Sequence, residues 1–227
     1  MMMSSARQAD DYTAPVEDYL KAIYEIERAG GAAGTNEIAQ RLSIAPASVS
    51  GMVKRLADQG LLDHERYRGV RLTDEGRRVA LRTIRRHRVI EAYLLKALGY
   101  PWDRVHDEAE RLEHAASDEL IDRMASAIGE PTTDPHGAPI PTREGTIDER
   151  RYVSLAELEP ARGGTVVQVS DDDGSRLRYL AELGLVPGAR VTIVERTPFG
   201  GPIKLHVAGV ERLVGPTLAE VVMVEPE

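Results

Sequence analysis

The fold can be inferred first from residues 35–76, which read TNEIAQRLSIAPASVSGMVKRLADQGLLDHERYRGVRLTDEG. Thr35 is a suitable N-cap for a short helix in which apolar residues recur at helical spacing. A turn at 43–45 then leads to Pro46, a residue favoured at the first position of a helix, and Gly60 ends that second helix. A short helix, a tight turn and a second helix predict a helix-turn-helix.

The segment that follows predicts a β-hairpin with a basic tip. Residues 61–64 and 70–73 are suited to two short strands, and the turn Arg66–Gly69 lies between them. A helix-turn-helix followed by such a hairpin is typical of winged-helix domains that bind DNA. Two other interpretations stay open for this segment, because winged helices also bind proteins and three helices with a hairpin can be purely structural.

The neighbouring segments are helical until about residue 128. Apolar residues at helical spacing predict a helix over 16–28, a long helix over 73–98, and a further helix from residue 101 or 102 to about 128. Residues 129–149 contain four prolines and three glycines without a periodic pattern. This composition predicts a linker or an extended crossing segment.

The end of the chain is rich in predicted strands. About five short strands follow Val153, separated by turns of Gly, Pro and Asp and by one short helix at 177–183, which predicts an SH3-like β-barrel. The predicted fold class is therefore mainly α with a small β part. Its predicted domains are a winged helix-turn-helix at 1–75, a helical domain with its linker at 76–148, and an SH3-like β-barrel at 149–227.

The composition excludes several classes of protein. The chain has 227 residues, no cysteine and a net charge of −8, which excludes disulfide scaffolds, thiolate metal sites and cysteine nucleophiles. No apolar run approaches the roughly 20 residues of a membrane helix, and the acidic N-terminus predicts no secretory signal, so a cytoplasmic protein is expected. Glycine-rich phosphate loops and the HExxH and GxSxG motifs are absent from the sequence.

One predicted helix face combines two imidazoles with two carboxylates. At about 100° per residue, one arc of the helix predicted after residue 101 carries His106, Glu110, Glu113 and His114. His87 and Glu91, four residues apart on the preceding helix, also share a face. If these helices pack antiparallel, His87, Glu91 and His106 can form a second site beside the first. Imidazole with carboxylate suits Mn, Fe(II), Zn, Co or Ni, and the alternative is a solvated charged face.

Five segments of the chain resemble the diphtheria-toxin-repressor family, and within it the manganese-responsive (MntR-like) branch. They are VEDYLKAIYEI at 16–26, IAQRLSIAPASVSGMVKRL at 38–56, YRGVRLTDEG at 67–76, RRHRVIEAYLL at 85–95 and VHDEAERLEHAASDE at 105–119. The segments follow the family's order and spacing, and the strand-rich end is similar to the family's SH3-like domain. The resemblance implies a metal-dependent transcriptional repressor that acts as a homodimer on palindromic operator DNA and uses its helical domain for dimerisation and metal binding.

The resemblance also implies two metal sites. The implied primary ligands are Asp18, Glu110, Glu113 and His114, and the implied ancillary ligands are His87, Glu91 and His106. Iron-responsive members have Met and Cys at the positions of Asp18 and Glu110, so carboxylates there imply Mn(II). Fe(II) is the alternative ion, and one or two ions per subunit are expected.

Three positions depart from the family's pattern. Lys21 stands where short manganese regulators have an additional Glu ligand, so their two-ion arrangement does not carry over unchanged. Asp173 aligns with a Glu that binds the ancillary ion and is shorter by one methylene. Arg176 aligns with the Gln that completes this site, and a cation is no metal ligand.

For DNA, the resemblance implies that the second helix of the helix-turn-helix enters the major groove. The implied DNA-contacting residues are Pro46, Ala47, Ser48, Ser50, Gly51, Lys54 and Arg55 on that helix, with phosphate contacts from Thr35, Arg66, Tyr67 and Arg68. Small residues such as Ala47 and Gly51 favour contact with thymine methyl groups and offer few bidentate hydrogen bonds to bases. We therefore expect modest direct readout supplemented by phosphate contacts.

The function implied is Mn(II)-responsive repression of genes for metal-ion homeostasis by a protein that is not an enzyme. An Fe(II)-responsive regulator with the same ligands is the alternative within the family. Outside the family, the alternatives are a metal-dependent hydrolase built on the His/Glu cluster and a pure interaction module. The proline-rich residues 135–141 could also bind the SH3-like barrel of the same chain.

Overall fold

The computed structural model describes residues 12–30, 32–65, 69–170 and 173–227. They form two compact units. The first consists of residues up to Arg86 with Pro141–Thr146, and the second of His87–Ile140 with Ile147–Glu227. No helix within the described ranges is long and apolar enough to cross a lipid bilayer. The domain boundaries expected after residues 75 and 148 stay predictions.

The first unit contains the winged helix-turn-helix. Its elements are α1 (Ala14–Gly30), α2 (Thr35–Arg41), α3 (Pro46–Asp58), β1 (Leu62–Glu65), β2 (Gly69–Leu72) and the first half of α4 (Asp74–Leu98). Strands β1 and β2 are antiparallel, with Leu62 opposite Leu72. Ala33, just before α2, pairs with Val70 and extends the hairpin by one bridge. The core between these elements includes the fully buried Leu20, Ile23, Ile38, Val49 and Leu56.

The start of α2 differs from the prediction, whereas the start of α3 agrees with it. Gly34 occupies the N-cap of α2, so Thr35 is the first helical residue and not the cap. The Gly34 N–H donates to Glu37 Oε2 at 2.8 Å, so the Glu37 carboxylate satisfies a backbone donor at this helix end. Pro46 opens α3 as expected, because its missing N–H would have no partner inside the helix.

Two close approaches tie the first half of α4 to the rest of the first unit. Gly76 lies so close to the hairpin that a Cβ there would be 2.1 Å from the Leu61 carbonyl oxygen, so a side chain cannot fit without a shift. Further along α4, Arg86 Nη1 lies 3.2 Å from Glu17 Oε1 on α1, and both side chains are less than a tenth exposed.

The second unit combines helices with an antiparallel sheet. After the second half of α4 come α5 (Val105–Leu112), α6 (Asp118–Ala127), β3 (Val153–Ser154), a short 3-10 helix (Leu155–Glu157), β4 (Gly163–Val169), α7 (Gly174–Leu183), β5 (Arg190–Arg196), β6 (Ile203–Val207), β7 (Val210–Val214), α8 (Pro216–Glu220) and β8 (Val222–Pro226). The strand order is β3-β8-β4-β5-β6-β7, with antiparallel neighbours. This sheet domain is the predicted SH3-like part, and it has six described strands where about five were expected.

Each part of the second unit has its own apolar core. The helical part buries residues of α4, α5 and α6, among them Val89, Ile90, Leu94, Val105, Ala109 and Ile121. The sheet domain buries alternate residues of its strands together with α7, among them Val166, Leu177, Leu180, Ile193, Leu205 and Val222. Burial of alternate residues agrees with strands that present one face to a core.

The prediction of a single helix from residue 101 or 102 to about 128 is wrong. The chain forms α5 and α6 with a turn at 113–117 between them. Ser117 caps α6 by accepting a hydrogen bond from Leu120 N at 3.3 Å, and Asp118 and Glu119 occupy the first turn, where the helix dipole favours acids. A strong local start signal therefore interrupts the apolar pattern that runs through both helices.

Candidate metal centre

Three elements of the second unit carry the predicted metal-binding side chains. On α4, His87 and Glu91 are four residues apart and buried, with relative exposures of 4% and 0%. On α5, His106 and Glu110 are also four residues apart, and their side chains are 27% and 43% exposed. Glu113 follows directly as the C-cap of α5 and is buried. The group thus has a buried side on α4 and an accessible side on α5.

Three ligand atoms form a nearly regular triangle. His87 Nε2 lies 3.2 Å from Glu91 Oε1 and 3.2 Å from His106 Nδ1, and His106 Nδ1 lies 3.4 Å from Glu91 Oε1. Adjacent ligands at about 2.1 Å from one metal ion are separated by roughly 3.0–3.5 Å. The residues expected at the ancillary site therefore come together with spacings that fit a bound divalent ion.

A hydrogen bond sets the orientation of the His87 ring. His87 Nδ1 lies 2.5 Å from Glu113 Oε2, and Nδ1 is the donor whenever this carboxylate is ionised, because a carboxylate can only accept. In a neutral imidazole Nε2 then presents its lone pair to the triangle, as a metal ligand must. Glu113 thus acts on the same ring that Glu91 and His106 face.

The two groups of ligands implied by the family resemblance are not separate in this unit. Glu110 Oε1 lies 3.6 Å from His87 Nδ1 and 3.9 Å from His106 Nε2, so Glu110 borders the expected ancillary ligands as well. His114 Nε2 lies 3.5 Å from Glu113 Oε1. Three carboxylates and three imidazoles are therefore grouped without sulfur, a donor set suited to hard and borderline divalent cations.

The prediction that these four side chains share one helical face agrees with the structure for three of them. His106 and Glu110 share a face of α5. Glu113, the C-cap, keeps helical backbone angles, and its N–H still donates to the Ala109 carbonyl oxygen at 2.9 Å. His114 lies in the turn beyond the helix and reaches Glu113 from there.

Asp18, the fourth residue expected at the primary site, lies on α1 in the first unit and is partly buried. Lys21, one turn later on the same helix, is also partly buried. The structure does not bring Asp173 to the group around His87, because among the described residues it belongs to no set of potential ligands with atoms within 4.8 Å of one another.

Asp173 has a structural role of its own. It is the N-cap of α7, where its Oδ1 accepts hydrogen bonds from Ser175 N at 2.8 Å and Arg176 N at 3.2 Å. These two backbone donors, from Arg176 and then Ser175, hold the pKa of Asp173 below its usual value. Its role as a ligand stays a prediction.

Sequence reasoning missed two buried residues beside Glu91. Asp134 and His136 have relative exposures of 6% and 0%, and His136 Nδ1 lies 3.8 Å from Glu91 Oε1. Both lie in residues 129–149, which the composition assigned to a linker or crossing segment. Residues 133–139 are instead folded back by a bridge between Thr133 and Pro139. The signal that could have found them is the His and the Asp in the proline-rich stretch TDPHGAPIP at 133–141.

The predicted contact between this segment and the sheet domain exists, and backbone atoms make it. Val169 N in β4 donates to the His136 carbonyl oxygen at 2.9 Å. At Gly137, which has a φ of +89°, a Cβ would lie 1.9 Å from the Val167 carbonyl oxygen. The positive φ and this close approach both require glycine.

The expected DNA-contacting residues lie on the surface wherever they are described. Exposed positions on or next to the helix-turn-helix include Thr35, Pro46, Ala47, Ser48, Ser50, Gly51, Lys54 and Arg55. On α3 the opposite face is buried through Val49, Val53 and Leu56. One face of α3 is therefore available to a partner. Arg66, Tyr67 and Arg68 lie outside the described residues.

Three family models match consecutive parts of the chain. Residues 11–70 match the N-terminal DNA-binding domain of iron-dependent repressors, and residues 73–142 match the metal-binding and dimerisation domain of the same proteins. Residues 153–226 match the FeoA domain. The second of these regions contains the whole group of imidazoles and carboxylates described above.

Similar proteins include both an iron-dependent and a manganese-dependent repressor. The iron-dependent repressor IdeR of Mycobacterium tuberculosis is 36% identical over 223 residues, which are 92% of this chain and 96% of that protein. The HTH-type transcriptional regulator MntR of Lysinibacillus sphaericus is 35% identical over 116 residues, 51% of this chain and 83% of that protein. A solved manganese-dependent transcriptional repressor in complex with manganese has a TM-score of 0.85 and 38% identity, covering 92% of this chain and 98% of its own.

By their names these relatives are transcriptional regulators, two of them repressors, and not enzymes, in agreement with the expectation for this chain. The identity to IdeR extends over nearly the full length of both chains. The chain therefore belongs to the diphtheria toxin repressor family of metal-dependent transcriptional repressors.

Proposed function

We propose that this protein is a Mn(II)-responsive repressor that binds palindromic operator DNA as a homodimer and controls genes of metal-ion homeostasis. The observation that carries the proposal is the triangle of His87 Nε2, Glu91 Oε1 and His106 Nδ1, with sides of 3.2–3.4 Å. It lies in the region that matches the family's metal-binding and dimerisation domain. A second observation, the exposed face of α3, supports DNA as the partner.

The choice of Mn(II) over Fe(II) rests on the chemistry of the ligands. The proposed primary ligands are Asp18, Glu110, Glu113 and His114, and the proposed ancillary ligands are His87, Glu91 and His106. Oxygen donors at Asp18 and Glu110, where iron-responsive members have sulfur, favour a harder ion. When bound, the ion supplies positive charge that offsets the mutual repulsion of the carboxylates.

The proposed dimer uses apolar surface of the helical part. Leu98 at the end of α4, Leu112 at the end of α5 and Leu120 on α6 are 57%, 42% and 44% exposed. Exposed large apolar side chains in a region matched by a dimerisation domain support a second copy of the chain as the partner. In a dimer, the two α3 helices would read two half-sites, which explains a palindromic operator.

The proposal is tested by fluorescence anisotropy of labelled DNA from upstream of the protein's own gene. Metal-stripped protein is titrated with Mn(II) and, without oxygen, with Fe(II), at fixed salt because binding depends steeply on salt. We expect tight binding with micromolar Mn(II), weaker activation by Fe(II), and none with chelator. Activation by Fe(II) alone would contradict the manganese assignment, and binding that is indifferent to metal would contradict the metal switch.

Variants of the primary ligands make the test specific. Asp18→Ala should abolish the manganese dependence of DNA binding. The double change Asp18→Met with Glu110→Cys should shift activation from Mn(II) toward softer ions. Glu119→Ala on α6, where the side chain is 76% exposed, removes a carboxylate outside the ligand set and should behave as wild type.

A further inference from the structure

A buried histidine outside the proposed ligand set touches both the metal group and the sheet domain. His136 lies in the segment 133–139, whose folded shape is held by Asp134. The Asp134 carboxylate Oδ1 accepts from His136 N at 2.8 Å and Ala138 N at 2.9 Å, and Asp134 N donates to the Ala138 carbonyl oxygen at 3.0 Å. This hydrogen bonding fixes the backbone from which the His136 ring projects.

Arg88 on α4 holds the same segment against the metal-binding helix. Its Nη1 donates to the Pro139 carbonyl oxygen at 2.6 Å, and its Nε lies 3.6 Å from Asp134 Oδ2. Arg88 is next to His87 in the sequence and one turn before Glu91 on the helix. The segment is therefore attached to α4 at the level of the proposed ancillary ligands.

The two nitrogens of the His136 ring have different neighbours. Nε2 lies 2.9 Å from the Trp102 carbonyl oxygen, and because a carbonyl only accepts, Nε2 carries the hydrogen and donates it. Nδ1, the other ring nitrogen, faces Glu91 Oε1 at 3.8 Å. Because both side chains are fully buried, the His136 ring that this hydrogen bond fixes limits the space into which Glu91 can turn, which keeps Oε1 at the triangle with His87 and His106.

Trp102 connects this histidine to the sheet domain. Its side chain packs against the apolar core of that domain, and its ring lies 5.3 Å from the His136 ring. The next residue, Asp103, accepts a hydrogen bond at 2.8 Å from Arg178 on α7. On its other side, the backbone carbonyl oxygen of His136 accepts a hydrogen bond from Val169 N of β4 at 2.9 Å. His136 thus contacts the sheet domain both through Trp102 and through β4.

We propose that His136 is a positioning residue that holds Glu91 in the His87–Glu91–His106 site and couples the filling of this site to the attachment of the sheet domain. The inference rests on the proposed function, because it requires that a divalent ion binds these three residues. When an ion fixes Glu91 and His106, it stabilises the contacts of His136 with Trp102 and β4. By linkage, attachment of the sheet domain strengthens ion binding at this site to the same degree.

Trp102 is the single tryptophan of the chain and reports directly on this coupling. The probe is Zn(II), a closed-shell ion, added to the full-length, metal-stripped protein while Trp102 emission is recorded. Affinity is measured separately by competition with a fluorescent chelator, for Zn(II) and Mn(II). In the wild type we expect the emission to change as the site fills, and the Val169 amide to exchange its hydrogen more slowly with metal than with chelator.

Three substitutions give the decisive comparison. His136→Ala should weaken binding at this site by about 10- to 100-fold, the usual effect of removing a group that orients a ligand, and Trp102 emission should not respond even when the site is saturated. His136→Gln retains an N–H donor for the Trp102 carbonyl and should restore most of the response. His206→Ala, at an exposed position on β6, should behave as wild type.

The possible failures are distinguishable. If His136→Ala binds metal as tightly as wild type and Trp102 still responds, the proposed coupling is wrong while the proposed function stands. If the Val169 amide exchanges equally with and without metal in the wild type, the coupling is also overturned, without the use of any variant. If His87→Ala does not reduce the number of ions bound, the ancillary site of the proposed function is itself wrong, and the inference falls with it.

Discussion

Removal of the Glu17 carboxylate should destabilise the first unit far more than removal of an exposed carboxylate from the same helix. Arg86 Nη1 lies 3.2 Å from Glu17 Oε1, and their side chains are only 7% and 8% exposed. Breaking a buried ion pair costs about 3–5 kcal/mol, because one charge stays in a poorly solvated place. Both residues have further polar interactions, so the lower end of the range, about 3 kcal/mol, applies to Glu17→Ala.

The measurement is hydrogen exchange of the α1 amides in the native protein with chelator present. A loss of about 3 kcal/mol corresponds to roughly 100-fold faster exchange for amides that exchange only when the first unit unfolds. The matched control is Glu25→Ala on the same helix. The side chains of Glu25 and its ion-pair partner Arg41 are 25% and 42% exposed, so this pair contributes at most about 1 kcal/mol.

A double variant separates charge from packing. Glu17→Leu combined with Arg86→Met replaces both charges by apolar groups of similar size and should recover most of the lost stability. If Glu17→Ala exchanges no faster than Glu25→Ala, the pair contributes little and the reasoning is wrong. If the double variant is as unstable as Glu17→Ala, the loss comes from packing and not from a buried charge.

Three further outcomes are expected. Gly76→Ala should destabilise by about 1–3 kcal/mol in urea unfolding, because its Cβ would overlap a backbone carbonyl, whereas Gly51→Ala on open α3 should stabilise by up to about 1 kcal/mol; equal effects would contradict this. Because backbone N–H groups lower the pKa of Asp173, Asp173→Ala should lower the melting temperature at neutral pH, and the deficit should disappear as the pH falls through the lowered pKa. Asp173→Asn retains the cap, so a similar deficit in this variant would contradict the assignment. His87→Ala should reduce the ions bound per subunit at saturation, unlike His206→Ala, because the His87 ring lies between both groups of proposed ligands.

Local signals in the sequence predicted the winged helix-turn-helix well. Pro46 marks the start of α3, and two short strands flank the turn of the hairpin. Each of these signals involves only a few neighbouring residues, so the sequence pattern alone is enough to predict both elements. The same kind of signal is present at Ser117, where a cap followed by two acids separates α5 from α6. The apolar periodicity continues across this break, and for that reason it predicts a single helix.

The metal group was predictable only in part, for a physical reason. Helical spacing places His87 with Glu91 and His106 with Glu110, and the structure agrees. The approach of His136 to Glu91 depends on how a proline-rich segment folds over α4, and no local periodicity records such a contact between residues far apart in the chain. Composition alone assigned that segment to a linker.

The packing of residues 133–139 also limits how the chain can be dissected. A fragment that ends near residue 148 would keep His136 but lose Val169, the backbone donor to its carbonyl, and would expose the Trp102 side chain to water. Such a fragment would carry a new apolar patch next to the proposed metal ligands. A shortened repressor is therefore not a suitable reference for measuring the contribution of the sheet domain. Single substitutions at the contact between residues 133–139 and the sheet domain, made in the intact chain, are suitable.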